Sequence, residues 1–333
     1  LNYDIMILGT SAGGLEASIA IISQLPADFP AALFVVTHMS PEEPSLLPKI
    51  LSVRGPLPAI QVTEGMAIEP GRIYCAAPDH HLLIEPGHIH SLRGMKENGF
   101  RPAIDATLRT AARAYGPRVV GVILTGMLDD GTAGLLAVKR RGGYAIVQDP
   151  DEALYSSMPR TARRYVAVDA VLRLADIAPM LVRLAQEPVA TPKEEAMGDT
   201  TDKEAKITEL DQEALEQADT LGVPAPFSCP DCGGVLMEFY DEDLLRFRCQ
   251  IGHAYSPESL VARQSEQLDL TLWAAFRAVD ERATLLHRLA TEAERLNDTR
   301  AVQRFTLFAQ RAEQQKERLR QAYLKDASDA PIS

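Results

Sequence analysis

Five short apolar runs constrain this chain more than any other feature. They are YDIMIL (Tyr3 to Leu8), AALFVV (Ala31 to Val36), GRIYCAA (Gly71 to Ala77), VVGVIL (Val119 to Leu124) and YAIVQ (Tyr144 to Gln148), all within the first 185 residues. They lack the strict in-out alternation of a half-exposed strand, so they read as strands buried on both faces. Helical patterns cover Leu15 to Leu25, Ile104 to Tyr115, Ala133 to Arg141 and Ile177 to Leu184. Strands alternating with helices through short connections predict an α/β fold, a doubly wound and mostly parallel sheet. LLIEPGHIHSLR (Leu82 to Arg93) departs from this pattern and reads as a hairpin turning at Pro86-Gly87.

Beyond this region the composition changes. Between Glu187 and Gly222 stand eleven acidic residues and three lysines, which supply eight of the twelve negative charges in the net charge of −12. This stretch is expected to be a solvated linker, with a helix over DKEAKITELDQEALEQA. A Cys/His-rich segment follows, and then an Ala, Leu, Glu, Gln and Arg-rich helical pattern from Pro257 to about Lys325. In that last pattern Leu268, Leu272, Phe276 and Val279 fall near one face, as for packing against another helix. The expected boundaries are 1–186 for the α/β domain, 187–224 for the acidic linker, 225–256 for the Cys/His module and 257–327 for the C-terminal helices. No run approaches eighteen apolar residues and the first residues do not read as a signal peptide, so a cytoplasmic protein without membrane insertion is expected. No basic stripe is present, which argues against nucleic acid as a partner.

The first strand enters its helix through GTSAGG (Gly9 to Gly14). A dinucleotide fingerprint needs glycine where Ser11 stands and a carboxylate ending the second strand, where the sequence reads VTHMS. Gly9-Thr10-Ser11-Ala12-Gly13 does satisfy the nucleophile-elbow pattern G-x-S-x-G, and the helix beginning near Ala12 aims free N–H groups at developing negative charge. His38 ends the second strand, and Asp129 and Asp130 lie in the loop after VVGVILTG. In a doubly wound sheet these three strand ends converge on one crevice. The order serine, histidine, aspartate excludes the α/β-hydrolase arrangement but leaves a triad on another fold. Taken singly, Ser11 also reads as a helix cap and Asp130-Gly131 as an ordinary turn. His80 and His81 read as peripheral, and Cys75 as a core residue.

GTSAGG, THMS, GFRPAIDATL and LTGMLDDGTAGL, in that order, resemble the catalytic domain of the chemotaxis protein-glutamate methylesterases (CheB) over roughly Tyr3 to Ala185. The resemblance implies a Rossmann-like domain that hydrolyses γ-glutamyl methyl esters on chemoreceptors, with glutamine deamidation as a second activity and no cofactor needed for catalysis. By position it implies Ser11 as nucleophile, His38 as base and Asp130 rather than Asp129 as acid. Met127 falls where the family's backbone helps hold the oxyanion, alongside the N–H of Ala12, and Arg101 is expected on the substrate side. Expected partners are a methyl-accepting chemoreceptor and a separate receiver protein or methyltransferase, since the chain begins at the catalytic domain without the family's receiver domain. The alternatives are a hydrolase of another carboxyl ester or amide, and a non-catalytic scaffold built on the Cys/His module.

CPDCGG followed by RCQIGHAYS gives C-x₂-C, sixteen residues, then C-x₃-H. Cys229, Cys232, Cys249 and His253 have the composition and spacing of a zinc ribbon. Four protein ligands leave no open position, so the zinc is expected to be structural.

Overall fold

The computed structural model describes residues 2–189 and 199–329. The N-terminal region contains strands β1 (Ile5–Thr10), β2 (Ala32–Thr37), β3 (Ala59–Gln61), β4 (Met66–Ala67), β5 (Ile73–Cys75), β6 (His81–Glu85), β7 (His88–Leu92), β8 (Val119–Ile123), β9 (Tyr144–Gln148) and β10 (Ala170–Leu172). Seven of them form one sheet in the order β10-β9-β8-β1-β2-β5-β3, with every neighbouring pair parallel. All five apolar runs are strands of this sheet. The short strands β3 and β10, one at each edge, carry too few apolar residues to stand out in the sequence.

β1 sits at the centre, with all six residues buried. Its side chains alternate between two apolar layers, Ile5 and Ile7 on one face, Met6 and Leu8 on the other. Helices α1 (Gly14–Ile22), α2 (Leu47–Arg54), α3 (Ile104–Tyr115), α4 (Thr132–Arg140), α5 (Ser157–Tyr165) and α6 (Leu174–Leu184) follow the strands. The chain leaves β1 to pair β2 on one side and later returns to pair β8 on the other. The C-terminal end of β1 is therefore a switch point, where the connecting loops diverge and leave a crevice. β4, β7 and β6 make a separate antiparallel sheet whose hairpin turns at Pro86-Gly87, with Gly87 at φ 80.

The acidic stretch is not a plain solvated linker. Its described part contains helix α7 (Asp199–Thr208), with Thr201, Glu204, Ala205, Ile207 and Thr208 buried and α3 packed beside it, and the short α8 (Gln212–Glu216). The polar composition concealed an apolar and ion-paired face, because Glu204 is charged and yet buried. Residues 190–198 of that expected linker lie outside the described residues. The Cys/His segment forms a four-stranded antiparallel sheet of β11 (Val223–Ser228), β12 (Val235–Asp241), β13 (Leu244–Cys249) and β14 (Ala254–Tyr255). Residues up to Leu260 form one compact unit, so the module shares a body with the parallel sheet.

Residues from Val261 form a second compact unit. The helical pattern is divided there: α9 (Pro257–Arg295) and α10 (Thr299–Asp329) meet at a turn with Asn297 at φ 57. They run antiparallel, with Trp273 against Tyr323, Asp280 paired with Lys316 and His287 with Glu313. Among the described residues no helix is long and apolar enough to cross a membrane.

Candidate active site

Ser11 follows β1 directly, in the turn into α1. Gly13, the residue before that helix, has φ 74, a left-handed conformation that glycine adopts without cost. The Ser11 N–H donates to the Thr125 carbonyl (3.1 Å) and the His38 N–H to the Thr10 carbonyl (3.4 Å), which ties together the ends of β1, β8 and β2. Gly126 is required by close approach: a Cβ there would lie 2.0 Å from Met158 Sδ and 2.9 Å from Ser11 Cβ.

Three of the sequence-predicted residues meet at these ends. His38 Nδ1 lies 3.0 Å from Ser11 Oγ, and His38 Nε2 lies 2.7 Å from Asp130 Oδ2. With Asp130 ionised, Nε2 carries the ring proton and Nδ1 is left to accept from the serine hydroxyl. Phe100 stacks on the His38 ring at 3.6 Å between centroids and 5° between planes, covering one face of the imidazole.

Asp130 is 1 % exposed and surrounded by donors. Its Oδ2 also accepts from the Ile104 N–H (2.7 Å). Its Oδ1 accepts from the N–H groups of Asp105 (3.2 Å) and Gly131 (3.0 Å) and from Asn98 Nδ2 (2.9 Å). Ile104 and Asp105 are the first residues of α3, so a helix N-terminus with its positive dipole end faces this carboxylate. Burial opposes the charge, but the His38 ring, the Ile104 N–H and the Asn98 amide outweigh it and hold the Asp130 carboxyl below the ordinary range.

Its neighbours behave oppositely. Burial, aided by the Asp130 charge, raises the Asp105 carboxyl against the pull of Arg246 and Arg109. Burial pushes Asp129 up to about 7, although Ser256 Oγ donates to it at 2.6 Å. The two adjacent aspartates that the sequence could not separate thus differ in kind: Asp130 is solvated by protein donors and touches His38, while Asp129 faces a serine of the C-terminal module.

The N–H groups of Ala12 and Met127 flank Ser11 in the two loops, and among the described residues neither has a protein acceptor. Leu128, next to Met127, adopts φ 60, a left-handed conformation uncommon for a non-glycine residue. Arg101 does not match its expected role. Its Nε donates to Asp79 (2.8 Å), Nη2 donates to the same carboxylate and Nη1 to the Gly94 carbonyl, so the guanidinium ties the 94–101 loop to Asp79 rather than standing free for substrate. His81 is fully buried, with Nε2 against the Met95 carbonyl and Nδ1 accepting from the Ala103 N–H, a structural role. Cys75 is core, and burial pushes its thiol up to about 12.

Three residues at the site carry no catalytic motif of their own: Asn98, Phe100 and Ser256. The signal for the first lay in the Asn98-Gly99 dipeptide, a type I′ turn pair. It forms such a turn here, with φ 53 and 82 at its centre and paired Glu97 and Phe100 on either side.

The donor atoms of Cys229, Cys232, Cys249 and His253 all lie within 4.8 Å of one another. Cys232 Sγ is 3.7 Å from Cys249 Sγ, and His253 Nδ1 is 3.7 Å from Cys229 Sγ and 3.5 Å from Cys249 Sγ. Those edges fit a tetrahedron around zinc, whose bond lengths of about 2.3 Å to sulfur and 2.0 Å to nitrogen require edges of roughly 3.5–3.8 Å. Two similar turns hold these residues: Gly233 N–H donates to the Cys229 carbonyl (2.8 Å) and Gly252 N–H to the Cys249 carbonyl (2.9 Å).

Comparison with known proteins agrees with this geometry. The family model described as CheB methylesterase matches residues 6–181, just over half of the chain. A putative protein-glutamate methylesterase/protein-glutamine glutaminase of Leptospira interrogans is 37% identical over 187 residues, 56% of this chain and 97% of that protein. Protein-glutamate methylesterase/protein-glutamine glutaminase 2 of Methanosarcina mazei is 33% identical over 191 residues, 55% of this chain and 52% of that protein. The crystal structure of the Thermotoga maritima CheB methylesterase catalytic domain superposes with a TM-score of 0.53 at 34% identity, covering 55% of this chain and 100% of that one. With a family match over the parallel-sheet region and Ser11, His38 and Asp130 gathered at its switch point, the chain belongs to the CheB methylesterase family.

Proposed function

We propose that this protein hydrolyses γ-glutamyl methyl esters on methylated chemoreceptor-type proteins, and deamidates glutamines at such sites, by a serine mechanism. The single observation that carries the mechanism is the continuous relay from Ser11 Oγ through both nitrogens of His38 to Asp130, at 3.0 and 2.7 Å. His38 Nδ1 takes the Ser11 proton as Oγ attacks the ester carbonyl, and the resulting imidazolium is supported by Asp130. Ala12 and Met127 N–H groups receive the oxyanion, each such donor contributing about 3 kcal/mol to the barrier reduction. The tetrahedral adduct collapses, His38 returns the proton to the departing methoxy group, and methanol leaves. Water attacks the glutamyl-serine ester with His38 again as base, yielding the free glutamate and Ser11. With glutamine the same steps release ammonia.

The Cys/His cluster is read as a structural zinc site held by Cys229, Cys232, Cys249 and His253. Four ligands fill a tetrahedron, which supports a folding role and no part in the proton transfers. Zinc bound there would hold together β11 to β14.

Methanol release from methylated chemoreceptor cytoplasmic fragments tests the function. Release by the protein and its loss in Ser11→Ala is the expected result. Equal release by both would remove Ser11 from the chemistry, and none from either would direct the site to another ester or amide.

A further inference from the structure

Beside the three reacting side chains stands Asn98, which is 2 % exposed. Its Nδ2 donates to Asp130 Oδ1 and to Asp105 Oδ2, each at 2.9 Å. Its Oδ1 accepts from the Ser256 N–H at 3.0 Å and from Ser259 Oγ at 3.1 Å. All four hydrogen-bonding positions of the amide are thus used, two toward the parallel-sheet region and two toward Ser256, at the end of the module, and Ser259, in the first turn of α9. A flipped amide would aim its NH₂ at the Ser256 N–H and its oxygen at the Asp130 carboxylate, which fixes the orientation.

The module grips the surrounding backbone as well. Asn98 N–H donates to the Ala254 carbonyl (2.7 Å), and Ala254 N–H donates to the Lys96 carbonyl (3.3 Å). Ala254 is the residue after the metal-ligand candidate His253, so the fold of the cluster continues without a break into the strand that holds this turn. Ser256 Oγ meanwhile donates to Asp129, in the loop that carries Asp130. One residue before Asn98, the fully buried Glu97 carboxylate receives Arg109 of α3 (2.6 and 2.7 Å) and faces Arg248 of β13 (3.5 Å). At the other end of the turn, Phe100 covers His38. The Glu97–Phe100 turn therefore touches the base and the acid of the site on one side and the module on the other.

We propose that the Cys/His module and the first turn of α9 that follows it support the active site itself: Ser256 and Ser259 fix the Asn98 amide, and Asn98 is a positioning residue that holds Asp130 in line with His38. The proposal rests on the serine-hydrolase reading above. It gives the module a task in the reaction without contact with substrate.

The test uses the full-length protein, with methyl ester turnover and the rate of Ser11 labelling by an alkyl fluorophosphonate followed across pH. Asn98→Ala is expected to lower kcat about ten- to a hundredfold, the cost of a misplaced group, with KM within about twofold. It also moves the acid limb of both profiles to higher pH, since Asp130 loses a donor and then faces Asp105 with no amide between them. Ser259→Ala gives the same changes with smaller size, and Ser259→Thr, which keeps the hydroxyl, restores them. A structural role alone would lower the folded fraction but leave the limb where it was. An acid limb and kcat unchanged in Asn98→Ala would overturn the proposal. If that variant does not fold, the Ser259 pair decides in the same way, and loss of activity not rescued by threonine counts against it. Labelling absent from the unaltered protein would overturn the serine-hydrolase reading itself, and this proposal with it.

Discussion

Asp130→Asn exposes how the site works, because the substitution keeps volume and removes only charge and acceptor capacity. The carboxylate receives five donors: Ile104 N–H and His38 Nε2 on Oδ2, and the N–H groups of Asp105 and Gly131 with the Asn98 amide on Oδ1. An asparagine must turn its NH₂ toward one of those two groups. Facing the Oδ1 side it would oppose three donors. Facing the Oδ2 side it opposes only Ile104 N–H, provided His38 changes tautomer so that Nε2 becomes an acceptor. That second arrangement has fewer clashes and is the one expected. It places the ring proton on Nδ1, directed at Ser11 Oγ, where it cannot take the serine proton. A wrong tautomer of this kind costs on the order of 10⁴ in kcat, or about 5 kcal/mol in the barrier. The residual donor clash and lost charge-assisted bonds destabilise the fold by a further ~1–3 kcal/mol. Steady-state turnover at saturating substrate and urea denaturation of the same sample measure both. A kcat within about tenfold of the unaltered protein would refute the tautomer argument, because that is far short of the expected loss.

Other consequences follow from the same geometry. Asp129 is pushed up to about 7 in the fold against about 3.9 in an unfolded chain, so the folded state binds the extra proton and this group lowers stability as pH rises from about 4 through 7. Asp129→Asn should flatten that decline, seen as a smaller difference between denaturation midpoints at pH 5 and pH 8; an unchanged difference would place the titration elsewhere. Gly126→Ala drives a methyl group to 2.0 Å from Met158 Sδ and 2.9 Å from Ser11 Cβ. It is expected to cost ~1–3 kcal/mol and to slow turnover by displacing Ser11, and an unaltered Tm with full activity would contradict the close packing. Protein purified without chelator should hold about one zinc per chain by elemental analysis, and Cys232→Ser should lose it together with a fall in Tm. Absence of metal from the unaltered protein would reject the zinc reading of the cluster.

Much of this molecule was written locally. The five apolar runs determined a buried parallel sheet, since strands covered on both faces need no polar alternation. GTSAGG, the histidine ending the second run and the Asp-Gly pair after the fourth each sat at a strand end, and sheet topology alone brings such ends together. The C-x₂-C and C-x₃-H spacings likewise mark the two turns that carry Cys229, Cys232, Cys249 and His253, without reference to the rest of the chain. Tertiary structure decided what depends on partners distant in sequence. It committed Arg101 to Asp79, which no motif could show, because an arginine's role is set by the nearest carboxylate. It drew Glu204 out of an acidic stretch that composition assigned to solvent, since three buried arginines (Arg109, Arg246 and Arg248) supply the compensating charge. Above all it joined Asn98 to Ser256 and Ser259, about 160 residues away in the chain, where only the docking of β14 and the start of α9 beside the turn links this amide to the carboxylate of Asp130.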